Sequence, residues 1–268
     1  MLYDTHCHPN YTKQKNIKQI LKTFKQENKE GFLNAVWTNF DTIKDCIKFA
    51  KEYDFVFASI WIHPSDIDLD ENIDDEIKKL ETIYLENKQY IIWIWECWLD
   101  YHYLSKNIEE KEKQISMQKK YFIAQIELAK KYNLPLIIHN RESKDDIYNI
   151  LIKSNYKNFV FHCYSENLEY AKKLLNFSPE AKISFSWIVT FSNAQEVQNT
   201  AKNIPLKNIL VETDAPRLTP SPFRWKEENE PLFTKYVLNH IIWLRNEETD
   251  LIKRQVFENS VDFFWIKK

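Results

Sequence analysis

Glycine is nearly absent from this chain, with one residue in 268, whereas an average usage of about 7% predicts roughly 19. Folds with many tight turns need residues that adopt positive φ, and glycine does so at least cost. The chain instead carries nine tryptophans. Either the fold avoids tight turns that need positive φ, or other residues occupy positions where glycine would fit.

Other absences exclude whole classes of protein. The cysteines at 7, 46, 97 and 163 form no CxxC pair, so neither a disulfide framework nor a zinc ribbon is indicated, and we expect reduced thiols. No apolar run approaches the roughly 20 residues of a membrane span. The N-terminus lacks a leader pattern, so we expect a cytoplasmic protein whose mature chain starts at or near Met1. A net charge of −2 gives no overall basic surface for nucleic acid.

Eight short apolar runs alternate with segments of helical period, such as 16–26 and 116–132. Alternating strands and helices with buried apolar strands predict an α/β fold, a single (β/α)₈ TIM barrel over residues 1–268. A doubly wound open sheet is the alternative. The predicted strands are residues 2–6, 32–39, 55–63, 90–96, 134–139, 158–162, 182–187 and 208–214.

Most of these runs end in a histidine or an acid. In a parallel barrel all strand C-termini meet at one face, so we expect these side chains to converge on one pocket although they are distant in sequence. They are His6, His8, His63, Glu96, His139, His162 and Asp214.

The residue types at these strand ends indicate metal chemistry. His6 and His8 are two apart, which in a strand puts both on one side, with Cys7 pointing towards the helices. The carboxylate of Glu96 can bridge two cations. Imidazole with carboxylate suits zinc, manganese or magnesium. Two ions that share a carboxylate favour hydrolysis of a phosphoryl or acyl centre.

In order, and across essentially the whole chain, eight motifs resemble those of the TatD family of metal-dependent deoxyribonucleases, in the amidohydrolase-like barrel superfamily. The motifs are DTHCHPN, SIWIHPSD, IWECWLDYH, LPLIIHNRES, FHCYSEN, ISFSWIVTF, VETDAPRLTP and the NEP of residues 229–231.

The resemblance implies two divalent ions and assigns their ligands. Asp214 would also be the base for the attacking water. The first ion would be held by His6, His8, Glu96 and Asp214, and the second by Glu96, His139 and His162.

The same resemblance implies residues near the substrate. His63 and Arg141 would lie close to its phosphate, although a buried structural role for His63 stays open. Arg217 and Arg224 follow the eighth strand and could also meet phosphate, with a solvated surface charge as the alternative for both.

The implied activity is phosphodiester hydrolysis that removes nucleotides from the 3′ end of DNA, with single-stranded ends as substrate and with no membrane or obligate protein partner. One alternative is a hydrolase of the same barrel class, for instance a deacylase of aminoacyl-tRNA. Another is a barrel that binds nucleotides or nucleic acid without catalysis, which would lack a ligand, and none of the six is missing. A carboxylated lysine bridge is disfavoured because the fourth strand supplies Glu96.

The tryptophans stand where the family pattern carries glycine. Extra core volume typically costs about 1 to 3 kcal/mol per site, so six or more such tryptophans would exceed the roughly 5 to 15 kcal/mol of a typical protein's stability. We hypothesise that UGA codons read as glycine in the source organism are translated here as tryptophan; a divergent protein is the alternative. The positions are Trp37, Trp61, Trp95, Trp98, Trp187 and Trp225, often also Trp93 and Trp265, with Trp243 unassigned.

Overall fold

The computed structural model describes residues 1–12, 16–36, 40–60 and 72–266, and at residues 10, 40–42, 60 and 93–98 the backbone alone. His63, Trp37 and Trp61 therefore lie outside the described residues, as do the side chains of Glu96 and its neighbouring tryptophans.

Eight strands form one parallel sheet in the order in which they occur along the chain. A doubly wound sheet would reverse its strand order part-way, so that alternative is wrong. The strands are β1 (Tyr3–Cys7), β2 (Phe32–Ala35), β3 (Val56–Ile60), β4 (Ile91–Asp100), β5 (Leu136–Arg141), β6 (Phe159–Phe161), β7 (Lys182–Phe185) and β8 (Ile209–Val211).

Helices occupy the connections between successive strands and the segment after β8, which confirms the predicted (β/α)₈ TIM barrel. In the part of the chain that the structure describes, no helix has the length and apolar character needed to span a bilayer. The helices are α1 (Ile17–Glu27), α2 (Phe40–Glu52), α3 (Ile73–Glu86), α4 (Ile108–Tyr132), α5 (Lys144–Ser154), α6 (Leu168–Phe177), α7 (Gln195–Asn203), α8 (Thr234–Leu244) and α9 (Thr249–Phe263).

The first strand is linked to the segment that follows the eighth. The Asp214 amide donates to the His6 carbonyl at 2.9 Å, and the His8 amide donates to the Ala215 carbonyl at 2.6 Å. Cys7 and Ala215 form a parallel bridge. These contacts place the ends of β1 and β8 side by side.

Apolar side chains are buried between the sheet and its helices. Cys7 and Cys46 of α2 belong to this core, as expected for a Cys7 that points away from the two histidines. Phe257 and Val261 of α9 pack in a second cluster with the strand residues Tyr3 and Leu210.

The one glycine occupies a position with no room for a side chain. A Cβ on Gly31 would lie 1.6 Å from Asn28 Nδ2 and 2.7 Å from the Leu2 carbonyl oxygen. That Asn28 amide donates to the Leu2 carbonyl and its Oδ1 accepts from the Leu2 amide, both at 2.9 Å. Glycine therefore lets Asn28 fix the start of β1.

Two tryptophans adopt the backbone conformation that favours glycine. Trp265 has φ 51° and follows α9, with its amide donating to the Asp262 carbonyl and the Ile266 amide to the Val261 carbonyl. This bond pattern is a Schellman motif, whose left-handed residue is usually glycine. Trp225 has φ 68° in a turn closed by the Lys226 amide and the Phe223 carbonyl. Both positions agree with the family's glycine pattern.

We predict that Trp225→Gly and Trp265→Gly each raise the free energy of unfolding by about 1 kcal/mol, because a left-handed conformation costs other residues roughly 1 to 2 kcal/mol. Both indoles are exposed, at 81% and 51%, so little packing is lost. Urea unfolding measures the change.

Trp243 provides the matched control, because it is 74% exposed but lies inside α8. Trp243→Gly should lower the free energy of unfolding by about 0.5 kcal/mol through helix propensity, since tryptophan is itself a weaker helix former than alanine. Destabilisation by all three substitutions would contradict the interpretation.

Candidate metal centre

Two histidines at the end of β1 point their ring nitrogens at each other. His6 and His8 are both buried, and their Nε2 atoms are 2.8 Å apart. His8 Nδ1 lies 3.1 Å from the Val36 carbonyl oxygen. A carbonyl can only accept, so Nδ1 carries the proton and the Nε2 lone pair of His8 faces the pocket, as in a metal-ligating histidine.

A carboxylate from the segment after β8, which lies beside β1, joins this pair. Asp214 Oδ1 lies 3.3 Å from His6 Nε2 and 3.5 Å from His8 Nε2. One ligand atom from each of the three residues lies within 4.8 Å of the others. The loop that carries Asp214 is held by Asn229, whose side-chain amide donates to the Thr213 carbonyl at 2.9 Å.

A second histidine pair lies beside the first. His139 Nδ1 and His162 Nε2 are 2.9 Å apart, and the ring of His162 stacks on that of His6 with centroids 4.3 Å apart. Residues from β1, from β5, from the end of β6 and from the segment after β8 thus meet in one cluster.

Glu212 is a buried member of this cluster that the sequence reasoning missed. Its Oε1 accepts from the Cys163 amide at 2.7 Å and lies 3.3 Å from His162 Nδ1. Its Oε2 accepts from the Ser184 hydroxyl at 2.6 Å. Glu212 could itself ligate a metal with His6 and His162, but these bonds fit a carboxylate that orients His162 better. The sequence signal that could have identified Glu212 is its position two residues before Asp214, at the end of the eighth predicted strand.

Asp4 is a second buried acid that the sequence reasoning missed. It accepts from the Thr213 amide at 2.9 Å and hydroxyl at 2.6 Å, and from the His6 amide at 3.3 Å. Burial raises the pKa of Asp4 well above its usual range, and the Thr213 bonds oppose that shift. Asp4 therefore ties the two metal-site segments together.

The electrostatic environment keeps His6 in the form that binds metals. Burial, and then the neighbouring His162 and His8 imidazoles, lower the pKa of His6 well below its usual range. The neutral imidazole is the metal-ligating state. Imidazole rings, among which His8 has its proton fixed on Nδ1 by the Val36 carbonyl, form together with one carboxylate a donor set that fits zinc, manganese or magnesium.

The remaining sequence-predicted residues differ in where they lie. The backbone of Glu96 is in β4, where Trp98 pairs with His139 of the neighbouring strand. The side chain of Glu96 and the whole of His63 lie outside the described residues. Arg141 ends β5 with its guanidinium 4.9 Å from the Tyr103 ring centroid.

The two arginines after β8 have separate surroundings. Arg217 is exposed, yet its charge is near enough to contribute to the lowered pKa of His6. Arg224 is half-buried with its guanidinium 3.8 Å from the Phe191 ring centroid. The structure thus places the backbone of Arg217 next to Asp214, whose carbonyl accepts from the Arg217 amide at 3.0 Å, and packs Arg224 on an aromatic ring.

Comparison with known proteins decides the family. Residues 3–265 match the family described as TatD related DNase. The chain belongs to this family. It is 35% identical to the uncharacterized metal-dependent hydrolase YabD of Bacillus subtilis, over 99% of this chain and 100% of that protein. It is 34% identical to an uncharacterized metal-dependent hydrolase of Mycoplasma genitalium, over 98% of each.

A solved structure agrees on the fold. The TatD homologue YJJV of Escherichia coli K12 superposes with a TM-score of 0.85 at 22% identity, over 99% of this chain and 98% of that one. As a member of the TatD family, the chain is a metal-dependent hydrolase.

We predict that Glu212→Gln weakens Zn²⁺ or Mn²⁺ binding about 10- to 100-fold, the usual effect of losing a residue that orients a metal ligand. The amide keeps the size of the side chain but replaces one acceptor oxygen with a donor. Isothermal titration calorimetry measures the affinity.

Glu180→Gln is the matched control, because Glu180 pairs with Lys207 and its side chain is 77% exposed. It should leave metal affinity unchanged. Equal affinity in both variants and the parent would show that Glu212 does not orient a ligand.

Proposed function

We propose that the chain is a deoxyribonuclease that hydrolyses phosphodiester bonds with two divalent ions, removing nucleotides from the 3′ end. The observation that carries this proposal is the pair of adjacent histidine clusters. His6 and His8 with Asp214 form one, His139 and His162 form the other, and the His6–His162 ring stack joins them. This spacing supports two neighbouring cations.

The ligands that would hold the two ions are those that the family resemblance implies, and the closeness of the described histidines and Asp214 supports them. We assign Glu96 to both ions as the bridging carboxylate, with magnesium, manganese or zinc as the metal. Ions bound here would lower the pKa of a coordinated water and neutralise charge on the phosphodiester. The first ion takes His6, His8 and Asp214 in addition, and the second takes His139 and His162.

Asp214 is the residue that we assign to proton transfer. Its side chain is 15% exposed, whereas that of His6 is fully buried. Among the described ligands of the first ion, its carboxylate is therefore the more open to a substrate and water. Holding the proton of the attacking water at Asp214 is general base catalysis.

Positive charge for the phosphate comes from single residues rather than from the overall composition. We assign Arg141 and Arg217 to phosphate contacts, since the first ends β5 two residues after His139 and the second acts electrostatically on His6. His63 is proposed for the same role. Arg224 is a weaker candidate because Phe191 covers it.

The proposed substrate is a single-stranded DNA end, which can enter a pocket at the strand ends of a barrel more readily than an intact duplex. No protein partner is required in this proposal. We propose a cytoplasmic location, with Cys7, Cys46 and Cys163 as reduced thiols.

The functional protein in this proposal carries glycine at the family's glycine positions. The positive φ of Trp225 and Trp265 supports the recoding hypothesis, which also covers Trp37, Trp61, Trp95, Trp98 and Trp187. The codons test it directly: UGA at these positions is expected, and UGG at all of them would refute it.

The activity test uses a gene with glycine codons at those positions and single-stranded DNA labelled at either end, with Mg²⁺ or Mn²⁺. We predict stepwise shortening from the 3′ end, and a rate at least about 100-fold lower in Asp214→Asn, the usual range for losing a proton-transfer group. Glu96→Ala, which removes the bridging carboxylate, should lower the rate by at least as much. Glu180→Gln, on the surface, should digest at the parent rate.

Three outcomes would overturn the proposal. Digestion unaffected by either substitution would refute the assigned site. Cleavage of aminoacyl-tRNA esters without cleavage of DNA would indicate a deacylase. Binding of DNA without turnover by the metal-loaded protein would indicate a non-catalytic barrel.

A further inference from the structure

An exposed aromatic ring lies at the end of the strands that carry the candidate site. Tyr103 is 77% exposed and follows β4 by three residues. The preceding backbone is fixed, because the Tyr101 amide donates to the Arg141 carbonyl at 3.0 Å. The loop that presents Tyr103 therefore starts against the end of β5.

Two charged or polar groups contact this ring, one over a face and one at an edge. The guanidinium of Arg141 lies over one face of the ring, 4.9 Å from its centroid. The imidazole of His102 packs edge-on with centroids 4.8 Å apart, and His102 Nδ1 is itself 2.6 Å from a Glu142 carboxylate oxygen. The phenol ring is thus oriented although most of it contacts solvent.

Arg141 connects this ring to the metal cluster. Alternate residues of a strand project to the same side, and Arg141 is two residues after His139 in β5. A guanidinium suits phosphate through paired hydrogen bonds. One nucleotide could therefore place its phosphate on Arg141 and its base on the ring beside it.

We propose that Tyr103 is a base-stacking residue that, with Arg141, forms a nucleotide subsite at the entrance to the metal centre. This inference rests on the proposed nuclease function. Stacking on an aromatic face accepts every base, so the subsite would favour single strands, whose bases are unpaired, without selecting sequence. Tyr103 acts on binding and is not assigned a chemical step.

The test separates binding from cleavage. Fluorescence anisotropy of metal-free protein in EDTA compares a labelled oligothymidylate with an abasic chain of the same length and charge. We expect about tenfold tighter binding of the oligothymidylate, which is what stacking of a single base contributes at the lower end of its usual range. Tyr103→Ala should lose this preference while retaining its affinity for the abasic chain.

Two variants control for structure and for exposed aromatic surface in general. Tyr103→Phe keeps the stacking face and should keep the preference. Trp243→Ala removes another exposed aromatic, which lies in α8 against His240, and should also keep it. Arg141→Gln should lower the affinity for the oligothymidylate and for the abasic chain alike, because it removes a phosphate contact.

Equal affinity of the parent protein for the two chains, no binding of either, or an unchanged preference in Tyr103→Ala would each overturn the subsite. Failure of the nuclease function shows itself separately. A protein that prefers oligothymidylate but does not shorten it with metal would keep the subsite and lose the activity.

Discussion

The meeting of β1 with the segment after β8 is the constraint on which the candidate site depends. Two backbone bonds, from Asp214 to His6 and from His8 to Ala215, bring residues about two hundred positions apart into contact. Asp4 reinforces the contact by accepting from Thr213. Without this junction the Asp214 carboxylate would not face the two Nε2 atoms, and the first histidine cluster would lack its acid.

Much of this arrangement could be predicted from the sequence, because its signals are local. Apolar runs mark each of the eight strands, and most of these runs end in a histidine or an acid, whose convergence follows from the barrel. His6, His8, His139, His162 and Asp214 do lie together in the structure. Of the described positions where the family pattern carries glycine, Trp225 and Trp265 adopt positive φ, whereas Trp187 does not.

The supporting residues were not predictable in the same way, because their roles arise only from tertiary contacts. Glu212 is one acid among many in the sequence, and only the fold brings Cys163, Ser184 and His162 to it. Arg224 was grouped with Arg217 because both follow β8, yet packing on Phe191 separates them. Tyr103 became notable only through its exposure beside Arg141.

The central claim is that one pocket holds two cations between these histidine clusters. Anomalous X-ray diffraction from crystals grown with Mn²⁺ or Zn²⁺ tests it most directly. The account predicts two neighbouring peaks, one bounded by His6, His8 and Asp214 and the other by His139 and His162, with Glu96 between them. A single peak, or peaks outside this cluster, would contradict it.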